Sequence, residues 1–177
     1  MHPQCSLNGR RKDEGQSLLE TAICMPLLLG VAFNIINFAY FWFMILALSA
    51  SPRMGAEYST QGGQSIAVSS APSASAVSTI VYDNMTHGVV GPTTSNTAVR
   101  VCNSSVGIGA GGAALCQSFG PGFTFPAVTA DPEQPVFVLN RVDVEFTVKP
   151  LISGAAFNVI LPANLNFQRH VTMRSLY

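Results

Sequence analysis

The chain has 177 residues with a formal net charge of +0; 10% of residues are charged and 48% are hydrophobic. So few charges with so much apolar content argue against disorder driven by charge repulsion. The same balance argues against a nucleic-acid partner, because no basic surface is available to neutralise phosphates. The length suits one membrane segment and one small domain.

The apolar content is concentrated near the front. Leu18–Ala50 is one long apolar stretch whose only carboxylate, Glu20, lies just inside its leading edge. Arg10-Arg11-Lys12 and Gly15 precede it, and the next charged residue is Arg53. A bilayer core of about 30 Å needs about 20 helical residues. The stretch exceeds that, so its far end should protrude as helix. Pro26 removes a backbone donor and should bend the helix near its start, and Pro52 should bend or break it near its exit. Asn34 and Asn37 share a helical face at i, i+3 spacing. Their amides suit hydrogen bonds to a partner helix, or local bonds that let them tolerate the position. The basic flank should stay cytoplasmic, which places residues 54–177 outside.

A cleavable secretory signal is the competing reading, with Leu48-Ser49-Ala50 as a loose cleavage site. It needs an apolar region of about 7–15 residues, and this run is too long and carries Glu20 at its start.

A charge deep in lipid costs about 2.5–3.5 kcal/mol on insertion scales. Glu20 must therefore lie near the headgroups, carry a proton, or find a positive partner. An acidic residue in a first helical turn also offsets the helix dipole. A cut after Gly15 would make Gln16 a new N-terminus. Its α-amine, mostly charged at neutral pH, would sit one helical turn from Glu20. That pair suits a contact within one chain or between neighbouring subunits.

These residues carry a resemblance. Basic residues, Gly15, an apolar helix and Glu20 at the fifth position after the glycine resemble the type IV prepilin processing signal. The longer stretch resembles the TadE-like pseudopilins of the tight-adherence (Flp pilus) system, through Met25-Pro26-Leu27-Leu28-Leu29 and Arg53-Met54-Gly55-Ala56-Glu57-Tyr58. The likeness covers residues 14–58. Thr21, Ser51-Pro52 and Glu57 depart from the family's usual Phe, small pair and Arg. The resemblance implies a prepilin peptidase cutting between Gly15 and Gln16. It also implies other pilin-like subunits and assembly machinery as partners, and a bacterial inner membrane location. The protein would then be a substrate of an enzyme, not an enzyme.

Beyond the span, residues 59–71 read as a linker marked by Gly62-Gly63. Ser73–Met85 places Ala74, Val77, Ile80, Val81 and Met85 on one side of a short amphipathic helix. Thr97–Cys102 reads as a strand, and residues 103–126 as a Gly- and Ser-rich flexible loop. Gly107-Ile108-Gly109-Ala110-Gly111-Gly112 matches GxGxxG, but that motif binds dinucleotides only between a strand and a helix. Gly120-Pro121-Gly122 stops any such helix, so no cofactor is expected. Cys102 and Cys116 flank the loop. No two of the four cysteines have CxxC spacing, so no metal is expected. In an oxidising exterior Cys102 and Cys116 are expected to form a disulfide, closing a loop worth roughly 3 kcal/mol.

Arg141–Val148 alternates strictly, with Val142, Val144, Phe146 and Val148 on one face. Pro150–Pro162 is an apolar connection with a turn at Ser153-Gly154, and Phe167–Met173 should return as an antiparallel strand. This ending also resembles TadE-like proteins, in which Val171-Thr172-Met173-Arg174 would be the closing strand. His2, His87 and His170 form no catalytic motif, and Asp131 and Glu133 read as a surface pair with too few oxygens for calcium. The expected architecture is α+β. A leader (1–15) precedes a membrane helix (16–58), a linker (59–71) and an exported domain (72–177) with a short helix and an antiparallel sheet. Two alternatives stand beside the pilin-like reading. One is an uncleaved single-span anchor with an extracytoplasmic binding domain. The other is a secreted protein released by signal peptidase.

Overall fold

The computed structural model describes residues 10–61, 71–88, 91–134, 136–154 and 164–176. Helix α1 (Arg10–Gln61) is followed by α2 (Ala74–Gly88). Four strands follow: β1 (Thr97–Cys102), β2 (Cys116–Phe119), β3 (Phe137–Val148) and β4 (Leu165–Leu176). The strands form one antiparallel sheet in the order β2-β1-β3-β4. The chain divides into two compact units.

One unit holds residues 41–149 and 164–177. Its core lies on one face of the sheet. The even-numbered residues of β3 from Val138 to Val148 are all buried on that face. Register puts Val142 beside Val101 and Val144 beside Val99. The rear of α1 covers this face with Met44, Leu48, Ser51, Gly55, Ala56 and Ser59. Small residues at near-fourfold spacing let the helix approach closely. A Cβ on Gly55 would lie 2.5 Å from a Val81 methyl and 3.4 Å from one of Val142. Helix α2 contributes Ala74, Val77, Val81 and Met85, all buried. Ser73 caps it by accepting the Ala76 N–H at 3.2 Å. Polar ties close the edges of this core. Asn140 donates to the Ser59 carbonyl and Asn103 to that of Pro72. Ser51 donates to Oδ1 of Asn84.

The other unit holds residues 1–40 and 150–163. Within it, Asn37 holds both backbone polar groups of Ile152. Its amide donates to the Ile152 carbonyl at 3.0 Å, and its oxygen accepts the Ile152 N–H at 2.9 Å.

Several expectations change. Helix α1 continues through Pro52 without a break. Pro52 is buried in the core, and packing there outweighs one missing donor. Residues 103–126 are not simply a loop. Cys116–Phe119 pairs with β1 as strand β2, and Ile108 bridges Ala114. The GxGxxG run is the tip of that hairpin. Gly109 and Ala113 bond across it, and Gly112 takes φ 77°, which a side chain would resist. Cys102 and Cys116 face each other in register and are disulfide-bonded. Asp131 is buried, not a surface residue, and pairs with Arg174 at 2.8 Å. The Gly62-Gly63 linker, His2 and residues 155–163 of the apolar connection lie outside the described residues.

Candidate functional site

The front of α1 is the most distinctive surface. The segment Gly15–Thr60 is long and apolar enough to cross a membrane. Its most apolar window is only 6% buried. Leu18, Leu19, Ile23, Leu27 and Leu28 are each more than 60% exposed, a larger contiguous apolar surface than scattered surface residues make. Thr21 and Asn34 satisfy themselves locally. Thr21 donates to the Ser17 carbonyl and Asn34 to that of Gly30. Asn37 bonds to Ile152 within the same chain. Glu20 is exposed and accepts a hydrogen bond from the Gln16 amide at 3.4 Å. Gly15 and Gln16 both lie within α1, and no atom comes within 4 Å of a Cβ added at Gly15. Aromatic residues gather from Phe38 to Phe43, with Trp42 56% exposed.

A second cluster lies on the other face of the sheet, and sequence reasoning missed it. Register sets Arg100 of β1 opposite Asp143 of β3. Arg100 donates to Oδ2 of Asp143 from Nε and Nη2 at 3.0 and 2.8 Å. Arg141 reaches Oδ1 from Nε at 2.9 Å. Asp143 is fully buried and both arginine side chains are 11% exposed. The guanidinium groups also hold the segment passing over them. Arg100 donates to the Pro126 carbonyl at 2.6 Å and stacks over Phe125, and Arg141 donates to the Ala127 carbonyl at 3.4 Å. Arg174 ties down the end of that segment through Asp131 and Glu133. Glu145 shares this face, and burial pushes its carboxyl pKa upward. Two cations on one buried carboxylate fasten residues 125–131 to the sheet. The available signal was the charged alternate positions of Arg141–Glu145, which a solvated face would also show.

Tyr82 donates to the Thr97 carbonyl, and burial raises its pKa. His87 pairs with Asp83 one turn earlier in α2, and His170 is exposed in β4. Among the described residues no group of three or more His, Cys, Asp or Glu side chains is placed to hold a metal ion. Comparison with protein-family models, with characterised proteins and with solved structures finds no match.

Proposed function

We propose that the chain is a pilin-like minor subunit of a tight-adherence pilus or secretion apparatus, resembling the TadE-like pseudopilins. Helix α1 crosses the bacterial inner membrane with residues 1–15 in the cytoplasm and the C-terminal domain outside. A prepilin peptidase cuts between Gly15 and Gln16, and the new α-amine pairs with Glu20 of the same or a neighbouring subunit. The observation that carries the reading is a single helix with two fates. Its front is apolar and exposed, and its rear is built into the core of a small α+β domain. That arrangement suits a subunit drawn out of lipid into a helical assembly while its domain stays folded.

A second reading, an uncleaved anchor, draws on the position of Gly15. It lies inside α1, which begins at Arg10, not at a junction open to a protease. Release by signal peptidase fits less well. Leu48 is 2% exposed within the core, and a cut after Ala50 would remove it and Met44.

The test is co-expression with a prepilin peptidase. Gly15→Ala should keep the leader attached, and Glu20→Ala should be cut normally but fail to enter assemblies. Normal assembly of the Glu20→Ala protein would refute the amine pairing.

A further inference from the structure

We propose that the connection from β3 to β4 is a second membrane contact. In this account Pro150–Gly154 lies in the leaflet on the domain side, held there by Asn37. The proposal rests on the reading that α1 spans a bilayer.

Depth comes first. Asn37 lies 17 residues beyond Glu20, or about 26 Å along a helix rising about 1.5 Å per residue. With Glu20 at the cytoplasmic headgroups, Asn37 falls just inside the far edge of a core about 30 Å thick. The aromatic group Tyr40-Phe41-Trp42-Phe43 follows at the level where such side chains gather at a membrane interface. Asn37 is 1% exposed, yet Ile35, Ile36 and Phe38 around it are 63%, 44% and 49% exposed. What covers Asn37 therefore sits within an otherwise lipid-facing surface.

The chemistry of that cover fits the depth. Irregular backbone is tolerated at membrane depth only where its polar groups are satisfied by protein. Asn37 satisfies one N–H and one C=O of the same residue, Ile152, at 2.9 and 3.0 Å. An amide is the side chain that supplies both a donor and an acceptor to a backbone in this way. Leu151, the residue before Ile152, is 61% exposed. Residues 150–163 contain no charged residue, and exposed Lys149 stands immediately before them, suited to headgroup phosphates. A lone exposed leucine would mean little. Here it lies in an uncharged run, and its neighbour's backbone is paired by a buried amide of α1.

The contact gives Asn37 a role distinct from helix–helix packing.

Tryptophan quenching in vesicles tests this. The full chain is placed in phosphatidylcholine–phosphatidylglycerol vesicles whose lipids carry bromine near the top of the acyl chains. Native Trp42 reports whether the helix is inserted. Leu151→Trp in a Trp42→Phe background reports the connection. The expected result is that the position-151 tryptophan is quenched about as strongly as Trp42 and emits at blue-shifted wavelengths. Adding Asn37→Ala should weaken that quenching and shift the emission to the red. Quenching of Trp42 without quenching at position 151 would overturn the proposal and leave the spanning helix intact. Quenching of neither would overturn both. Unchanged quenching after Asn37→Ala would overturn the role given to Asn37.

Discussion

The front and rear of α1 belong to one continuous helix, yet they have opposite fates. From Leu18 to Leu29 the large side chains stand exposed, whereas Met44, Leu48, Ala56 and Ser59 are buried. The difference lies in both composition and spacing. The rear alternates large residues with a stripe of small ones at Ser51, Gly55 and Ser59, which lets valines of α2 and β3 close on the helix. The front has Leu, Ile and Met around its whole circumference, with no face marked for a protein partner. An apolar helix that is uniform in the round suits lipid, and one with a notched face suits a core.

The contrast extends to the sheet, where the rear of α1 meets only one of two buried faces. Disturbing the other face should have the largest effect on the domain and none on membrane insertion. Asp143→Ala leaves two enclosed guanidinium groups without their carboxylate and should cost about 3–5 kcal/mol. Thermal unfolding of the detergent-solubilised protein would measure it, with vesicle association as the control.

Within α1 itself, Leu48→Ala should destabilise the domain by about 2–5 kcal/mol, the usual cost of emptying a leucine site in a core. Leu28→Ala, where the side chain is 62% exposed, should change domain unfolding by less than about 0.5 kcal/mol. Equal effects from the two would erase the distinction between front and rear.

The glycines give a finer version. Gly55→Ala brings a methyl to 2.5 Å from Val81 and should cost about 1–3 kcal/mol by overpacking. Gly30→Ala meets nothing within 4 Å and should be neutral or slightly stabilising by helix propensity. Denaturant midpoints of the two variants compare them directly.

The smallest effect concerns pH. Burial raises the Glu145 carboxyl pKa, so the folded chain takes up this proton at a higher pH than the unfolded chain does. Stability from this group is present below the ordinary carboxyl range, near pKa 4.3, and is lost as pH rises through the raised value. Glu145→Gln should therefore unfold at a higher temperature than the parent at pH 7. The gap should close as pH falls to about 4, below the unfolded value.

The elements that sequence revealed best are those with strong periodicity. Arg141–Val148 alternates strictly, and Ala74, Val77, Val81 and Met85 mark α2. The cysteine spacing pointed to a bridge, and register places those residues opposite each other. What sequence hid depends on long-range partners. Cys116–Phe119 is short and follows a glycine-rich tip, so only its pairing with β1 makes it a strand. Asp131, Arg141 and Asp143 carry the composition of a solvated surface, and their burial follows from a segment laid over them. Asn37 was legible as unusual, but its partner lies 115 residues later in an irregular connection. Pro52 reads as a helix breaker, yet it is buried and α1 runs on through it.

The most direct test of the central claim is the N-terminal residue of the protein extracted from membranes, read by mass spectrometry. The account predicts a chain beginning at Gln16, in the membrane fraction and retaining the whole apolar stretch. A chain beginning at Met1 would contradict prepilin-type processing, and a soluble chain beginning near Ser51 would contradict the membrane-spanning role of α1 as well.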